Sequence, residues 1–433
     1  MYHLLRGKIL LWSKNGALNR FSAYMLAGIL NKALPFFLLP VLTTYLSPEE
    51  YGTLALYQVL ISFFVPIIGM NMQANITRHF FRKSREEIAH IIFTICLILV
   101  SVFVIVLFLF VPILGFFPAI VDLPLIWICT IPVVAASMIV KQFNLTVLRN
   151  QERAKLYGMF EVSATVINLF ITIVLVVFFE MGWQGRAAGV FFAPLIIGIV
   201  GMIRLYRSKF IIPIFDREIF RNILKVSFPL IPHALSMVVI SLSDRFFLDH
   251  MLGKEAVGIY TVGYQFGMIV AISTDSFSKA WSPWMYKQLA DLNSQQLKRV
   301  VQYTYFYDIG VLIFAIVVTF SSYILIEFMT TEAYFGAKQF VIWIAVSYAI
   351  RGMYLMRFPY LIHEGKTGFL AIMTTTSAII NLIANYFLIL HYGALGAAQA
   401  TLLSFLIQFV GIWWYANKIH PMPWFSKALV KRG

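Results

Sequence analysis

Twelve long apolar stretches constrain what this chain can fold into. A helix that crosses the hydrocarbon core of a bilayer needs roughly 20 mostly apolar residues, and 60% of the 433 residues here are hydrophobic. We place spans 1 to 12 near residues 21–45, 54–76, 90–114, 124–147, 156–178, 187–206, 226–250, 257–278, 303–328, 338–358, 367–390 and 394–416. The longest polar interval, near 279–302, is too short to form a soluble core. The sequence therefore predicts an all-α polytopic membrane protein with about 12 transmembrane helices.

Basic residues are distributed unevenly between the loops. Of the 34 Lys and Arg, 27 lie in the N-terminal segment, the even-numbered loops and the C-terminal segment. The odd-numbered loops contain three, which are Arg186, Lys254 and Lys338. Because basic loops remain on the cytoplasmic side of a membrane, this pattern predicts that both termini are cytoplasmic. It also accounts for most of the net charge of +15, so we expect no nucleic-acid partner.

Two short patterns recur in the two halves of the chain. Segment 252–258 repeats the Leu, Glu and Gly of segment 46–52 at the same spacing, 206 residues later. Polar stripes in spans 5 and 11 contain Asn168 and Asn381, which are 213 residues apart. The order of the two echoes predicts a duplicated six-helix unit whose copies enter the membrane from the same side. We predict lobes at 1–206 and 226–433, joined by a cytoplasmic linker at 207–225.

Eight ionisable side chains lie within the predicted spans, where an unpaired charge is costly. They are the cations Lys32, Lys141, Arg245 and Arg351 and the acids Glu161, Asp244, Asp275 and Asp308. They either pair between helices or line a water-filled cavity, and both interpretations are open. Lys32 favours the cavity because the core of its span contains no acid. Asp244 and Arg245 are adjacent, so we expect their side chains to point about 100° apart without pairing, which leaves Arg245 for the cavity.

Polar side chains also share helix faces with some of these charges. At the helical repeat, one such face of span 2 carries Asn71, Asn75 and Arg78, and one of span 10 carries Tyr348, Arg351 and Tyr354. Stripes of this kind suit the wall of a cleft better than a surface that faces lipid.

The sequence contains no signature of an ATPase, a metal site or a nucleophilic enzyme. Gly365, Lys366 and Thr367 look like the end of a phosphate-binding loop, but Tyr360 occupies the position of the first glycine. The odd-numbered loops are too short for the outer domain of many membrane glycosyltransferases. A secondary transporter is therefore favoured over a membrane-embedded enzyme, and we expect no catalytic residue, cofactor or metal.

Several segments are similar to those of a known family. They are Leu39-Pro40 with segment 45–52, Ser243-Asp244-Arg245, segments 252–253, 257–260 and 280–284, Asn381-Leu382 and segment 393–398. Together they resemble the Wzx-type O-antigen/polysaccharide flippases of the multidrug/oligosaccharidyl-lipid/polysaccharide superfamily. The resemblance extends over nearly the whole chain. It implies two six-helix lobes that form a V in the bacterial inner membrane and open alternately to its two sides.

The resemblance also implies a substrate and the residues that bind it. The substrate would be an undecaprenyl-diphosphate-linked oligosaccharide, handled by a monomer among membrane lipid and other polysaccharide-assembly proteins. Cations in the cavity would receive the diphosphate, and the positions that match are Lys32, Arg78, Arg245 and Arg351. Polar and aromatic residues of the cavity would be Asn71, Asn75, Tyr264, Tyr348 and Tyr354. Residues that couple transport to an ion would be Glu161, Asp244 and Asp308.

Two relatives in the superfamily are the alternatives. Lipid II flippases share the architecture but usually carry two extra helices, which this length cannot hold. Drug and cation antiporters have the same twelve helices, and we would expect them to line the cavity with acids. Here the deep charges are balanced, with four of each sign, which favours the polysaccharide flippases.

Overall fold

The computed structural model describes residues 36–116, 122–290, 294–419 and 421–424, and the regular structure in this range is helical. The helices α1 to α16 are, in chain order, Leu39–Tyr45, Pro48–Gly69, Gln73–Phe80, Arg85–Phe116, Leu125–Asn150, Ala154–Ile173, Gly182–Arg207, Arg217–Ser227, Ile231–Leu242, Asp244–Leu252, Lys254–Gly267, Ile269–Ala290, Ser294–Met329, Lys338–His363, Thr367–Tyr392 and Ala394–Ile419. A π-helical turn, Val174–Phe178, extends α6, and 3₁₀ turns occur at Phe228–Leu230 and Glu332–Ala337.

Eleven helical segments among the described residues are long and apolar enough to cross a membrane. They run from Pro48–Gly69 to Ala394–Ile419 and correspond in order to predicted spans 2 to 12. Span 1 falls mainly outside the described residues, and Lys32 lies there as well. The predicted class, an all-α multi-pass membrane protein with about 12 spans, is confirmed.

Polar side chains determine where several helices begin. At the start of α2, the backbone N–H of Glu50 donates to Ser47 Oγ (3.2 Å), and the backbone N–H of Ser47 donates to Glu50 Oε2 (3.1 Å). Ser84 and Glu87 make the same reciprocal pair at the start of α4. These capping boxes satisfy backbone donors that the first turn of a helix leaves free.

One compact unit contains Leu56–Ile231 and the described residues up to Tyr45. Within it, α5 packs along α7 and α6 packs along α7. Small residues make the α5–α7 approach close, since a Cβ on Gly198 would lie 3.0 Å from the carbonyl oxygen of Ser137. Such contacts are typical of helix packing in lipid, where close backbone approach replaces the hydrophobic driving force. Residues 207–225, which we predicted to link the lobes, belong to this unit.

The second compact unit contains Leu46–Ala55 and Pro232–Gly433. Helix α14 packs against α11, α12, α13 and α16 and is the centre of this unit. The start of α2 packs on the start of α11 through two glycines. A Cβ on Gly52 would lie 1.9 Å from the carbonyl oxygen of Lys254, and a Cβ on Gly258 would lie 1.9 Å from that of Pro48. The predicted six-helix lobes and their boundaries stay a prediction.

The contact between the two glycines gives a structural role to the pattern that recurs in the two halves of the sequence. Gly52 and Gly258 are the paired glycines of segments 46–52 and 252–258, and Pro48 and Lys254 are also 206 residues apart. Gly52 thus lies against Lys254, and Gly258 lies against Pro48, the residue equivalent to Lys254 in the first segment. The contact is therefore reciprocal. This is the geometry expected when two copies of a repeat meet at a local two-fold axis.

Candidate functional site

A buried ion pair lies where α9 gives way to α10 in the second unit. An Arg245 NH1 group donates to Asp244 Oδ1 (2.7 Å) and to the carbonyl oxygen of Ser241 (3.1 Å). The side chains are only 4% and 1% exposed. Our expectation that these neighbours would not pair is wrong. Ser243, between α9 and α10, keeps helical dihedral angles (φ −67°, ψ −24°), and the pairing arises because the long arginine side chain turns back from the first turn of α10 toward α9.

Tyrosines surround this pair. The hydroxyl of Tyr260 donates to Asp244 Oδ2, and the guanidinium carbon of Arg245 lies 4.2 Å from the ring centroid of Tyr264. The hydroxyls of Tyr264 and Tyr348 are 2.6 Å apart and share a hydrogen bond. The cluster thus joins α10, α11 and α14 in one polar network within the interior of the unit. Buried charges are tolerated when every partner is supplied in this way.

Two further arginines of α14 pair with acids of neighbouring helices. An Arg351 NH1 group donates to Asp275 Oδ1 of α12 (2.9 Å). Arg357 donates to both carboxylate oxygens of Asp308 on α13, at 3.0 and 2.5 Å. The Arg357 side chain is 3% exposed, whereas Asp275 is 35% exposed. The Arg351 pair is therefore the more accessible of the two.

The first unit contains a similar pair between α5 and α6. Lys141 Nζ lies 3.4 Å from Glu161 Oε2, and both side chains are largely buried. The pairing interpretation is thus the one that the structure shows for Glu161, Asp275 and Asp308. A coupling role for Glu161, Asp244 or Asp308 stays a prediction.

The three residues of the polar stripe in span 2 do not share one site in the structure. Asn75 and Arg78 on α3 line a cavity of the first unit, and Asn75 Nδ2 donates to Ser227 Oγ at the end of α8 (2.9 Å). Asn71 is exposed in the turn before α3, where it accepts a hydrogen bond from Gln73 Nε2 (2.6 Å). Tyr354 lies apart from these residues, in an apolar cluster of the second unit that includes Trp281.

The structure thus groups the predicted site residues by unit. Arg245, Tyr264 and Tyr348 form one cluster, and the Arg351 guanidinium carbon lies 5.9 Å from the Tyr348 ring centroid. Asn75 and Arg78 form a second group. No group of three or more His, Cys, Asp or Glu within the described ranges is arranged to hold a metal ion.

Sequence reasoning missed two buried arginines. We counted Arg357 and Arg186 with the loops because they lie near the ends of predicted spans. Arg186 donates to Asn168 Oδ1 and to Thr172 Oγ1 (3.0 Å for the latter). The polar stripe of span 5 was the available signal, since buried amide and hydroxyl oxygens need a donor.

The chain matches the family model described as "Polysaccharide biosynthesis protein" over residues 17–289. A second model, MatE, matches residues 229–387. Protein 1 of the Lsg locus of Haemophilus influenzae is 24% identical over 376 residues, which cover 82% of this chain and 87% of that protein.

Two solved structures share the fold. An inward-facing multidrug resistance MATE family transporter of the MOP superfamily has a TM-score of 0.70 at 15% identity, covering 93% of this chain and 98% of its own. The lipid II flippase MurJ, in an inward closed conformation, has a TM-score of 0.67 at 13% identity, covering 91% and 87%. At these identities the likeness concerns the fold alone.

Proposed function

The chain belongs to the family of polysaccharide biosynthesis proteins, and from that premise we propose that it flips an undecaprenyl-diphosphate-linked oligosaccharide from the cytoplasmic to the periplasmic leaflet. The observation that carries the proposal is the family match over residues 17–289. The transporter-type fold supports a translocation function. We place the protein in the bacterial inner membrane with both termini cytoplasmic, acting as a monomer and without chemical conversion of its cargo.

A diphosphate carries at least two negative charges, so its path requires cations. Arg78 suits this role, because it is exposed and makes no ion pair within the part of the chain that the structure describes. Lys32, Arg245 and Arg351 complete the proposed set. A phosphate would have to displace Asp244 to reach the buried Arg245, whereas Arg351 is partly exposed beside Asp275.

Such an exchange supplies a route to ion coupling. A carboxylate that loses its arginine inside the protein is strongly destabilised as an anion. Uptake of a proton or another cation would neutralise it. In this scheme cargo binding and cation uptake at Asp244 occur together, and the cation leaves when the arginine returns to its acid. The same reasoning extends to Glu161 and Asp308 with their partners Lys141 and Arg357.

Export of a small cation is the second candidate function. The MatE match over residues 229–387 favours it, because that segment contains three of the four acids that lie within the spans, Asp244, Asp275 and Asp308. An exporter of cations would use these acids as the binding groups. A flippase would therefore use the basic members of these ion pairs to bind its cargo, whereas a cation exporter would use the acidic members.

Complementation separates the two candidates. Expression in a strain that lacks its own polysaccharide flippase should restore the surface polymer and lower the lipid-linked oligosaccharide that accumulates in the cytoplasmic leaflet. Lipid extracts analysed by mass spectrometry would measure this pool. A set of strains that make different repeat units would test several oligosaccharides in the same way.

The control is export of cationic dyes from the same cells. Normal membrane insertion with no change in the lipid-linked pool of any strain, together with active dye export, would favour the antiporter. Restored polymer without dye export supports the flippase.

A further inference from the structure

A cavity of about 410 Å³ lies in the first unit between α3, the start of α4 and α8. Its lining includes four basic residues, Arg78, His79, Lys83 and Lys225. It also includes apolar side chains, among them Ile219 and Ile223. Among the described residues that line the cavity, none is Asp or Glu.

Helix α8 has a basic face and an apolar face. It begins at Asp216, whose Oδ1 accepts the backbone N–H groups of Glu218 (2.7 Å) and Ile219 (3.1 Å). Arg217, Arg221 and Lys225 follow at intervals of four residues and share one face. A short helix with a basic face and an apolar face is typical of the interface between headgroups and acyl chains.

The floor of the cavity is fixed by a buried hydrogen bond. Asn75 is 3% exposed and Ser227 is fully buried, and their 2.9 Å contact holds α3 against the end of α8. The cavity is therefore formed by packed elements of one unit. The helices that carry its basic residues are therefore held together before any ligand arrives, which lowers the entropic cost of binding.

The electrostatic field in this cavity is positive. Burial, and then repulsion from Arg78, Lys83 and Arg82, lowers the pKa of His79 below its ordinary value. Lys83 has an exposed partner in Glu87, at 3.2 Å, and such surface pairs are weak. Arg78 has no hydrogen bond or ion pair within residues 36–116 or the other described ranges.

We propose that this cavity binds the phosphate of a membrane lipid in the cytoplasmic leaflet. The phosphate would contact Arg78 and Lys225, and the first part of the apolar chain would lie against Ile219 and Ile223. Free phosphate would contact the basic residues only, whereas a phospholipid or a polyprenyl phosphate would contact both the basic residues and the isoleucines. The inference depends on the contacts of the first unit and not on which cargo the protein moves.

Two matched double variants test the site. Arg78→Gln/Lys225→Gln removes two charges that line the cavity. Arg82→Gln/Arg221→Gln removes two exposed charges from the same neighbourhoods, outside the lining. Full-length protein in detergent would be titrated with phosphatidylglycerol, undecaprenyl phosphate, diacylglycerol or inorganic phosphate, and native mass spectrometry would count the bound molecules.

We expect the lining variant to bind phosphate-bearing lipid about 10-fold or more weakly, since each lost charge-assisted contact has an effect of this order. The control variant should remain within about 3-fold of the wild type, because screened surface charges contribute little. Arg78→Lys/Lys225→Arg keeps both charges and should also retain binding. Preference for phosphatidylglycerol or for undecaprenyl phosphate identifies the source of the phosphate, and either preference supports the site.

Three results would overturn the proposal. Equal losses in the lining and control variants would show a general effect of surface charge. Unchanged binding in the lining variant would show that the cavity is not used. Binding of diacylglycerol as tightly as phosphatidylglycerol would show that the phosphate is not recognised. If the glutamine variant unfolds, the charge-retaining variant tests the site instead. That variant must bind phosphatidylglycerol more tightly than the wild type binds diacylglycerol.

Discussion

Arg245 contacts a carboxylate, a carbonyl oxygen and two tyrosine rings, so its structural role must be separated from any role toward cargo. Removing one member of a buried ion pair leaves the other charge unpaired, at a cost of about 3–5 kcal/mol. Loss of transport in Arg245→Gln alone would therefore say little. Replacing both members by neutral isosteres avoids the unpaired charge.

The informative variant is Asp244→Asn/Arg245→Gln. We expect it to fold, because the amides can exchange the hydrogen bonds that the ions made. If Arg245 also receives phosphate, transport by this variant should fall about 10- to 150-fold, which corresponds to one lost charge-assisted contact of about 1.5–3 kcal/mol. Transport of lipid-linked oligosaccharide in vesicles and the thermal midpoint in detergent are the two measurements.

The exposed pair of Lys338 and Glu327 provides the control. Lys338→Gln/Glu327→Gln should change neither measurement by a detectable amount, because exposed pairs contribute about 0–1 kcal/mol. A stable Asp244→Asn/Arg245→Gln protein that transports normally would show that the pair is structural. Arg245→Lys should keep part of the activity under either role.

At this scale the sequence identifies charges but not their partners. Hydropathy marks Asp308 as an acid in a span, yet its partner Arg357 is 49 residues away and depends on how α13 packs on α14. Asp244 and Arg245 misled us for a local reason, since the rule for adjacent residues considers only the direction in which each side chain leaves the helix. The arginine side chain is long enough to turn back to Asp244 and to the carbonyl oxygen of Ser241. Lys32 lies outside the described residues, so its role stays a prediction.

Among the elements, spans are predictable and their interruptions are not. Bilayer thickness fixes the length of an apolar stretch, so spans 4, 5, 11 and 12 agree with the structure to within three residues at both ends. Spans 2 and 7 are displaced by six to nine residues. The boundary between α9 and α10 at Ser243 leaves no trace in hydropathy. Neither does the turn between α2 and α3, where Met70 and Asn71 have φ of 45° and 52°. Both sites join residues that we predicted to lie in continuous helices.

Alanine substitutions at the contact between α2 and α11 test whether the repeated glycines stabilise the protein. Gly52→Ala would place a Cβ 1.9 Å from the carbonyl oxygen of Lys254, so the helices must separate. Overpacking of this kind costs about 1–3 kcal/mol. Gly258→Ala should have a similar effect, because the contact is reciprocal. The double variant should cost less than the sum, since the helices separate only once.

Gly310 on α13 offers a matched control. A Cβ there would meet no atom within 4 Å, so Gly310→Ala should stabilise the helix by up to about 1 kcal/mol through its higher helix propensity. Thermal midpoints in detergent compare the variants. Gly52→Ala with a midpoint as high as that of Gly310→Ala would contradict the close approach of α2 and α11.

For the whole molecule, the charge asymmetry of the loops is the strongest constraint on orientation. The described spans place residues 208–216 at one end of their helices, whereas Glu49 and Glu332 are exposed at the starts of other spans. Basic segments resist transfer across the membrane, while acidic ones contribute little to orientation. An asymmetry of 27 to 3 among Lys and Arg leaves one orientation strongly favoured.

Single cysteines in a background without Cys96 and Cys129 would measure this orientation. We expect Glu49→Cys and Glu332→Cys to react in intact cells with a thiol reagent that cannot cross the inner membrane. Pro213→Cys should react only after the membrane is opened. All three positions are exposed in the structure, so burial would not mask them, and Pro213 avoids Asp216, whose side chain caps α8. Labelling of Pro213→Cys in intact cells would reverse the orientation and move the basic cavity of the first unit to the periplasmic side. The proposed direction of transport would then lose the orientation on which it rests.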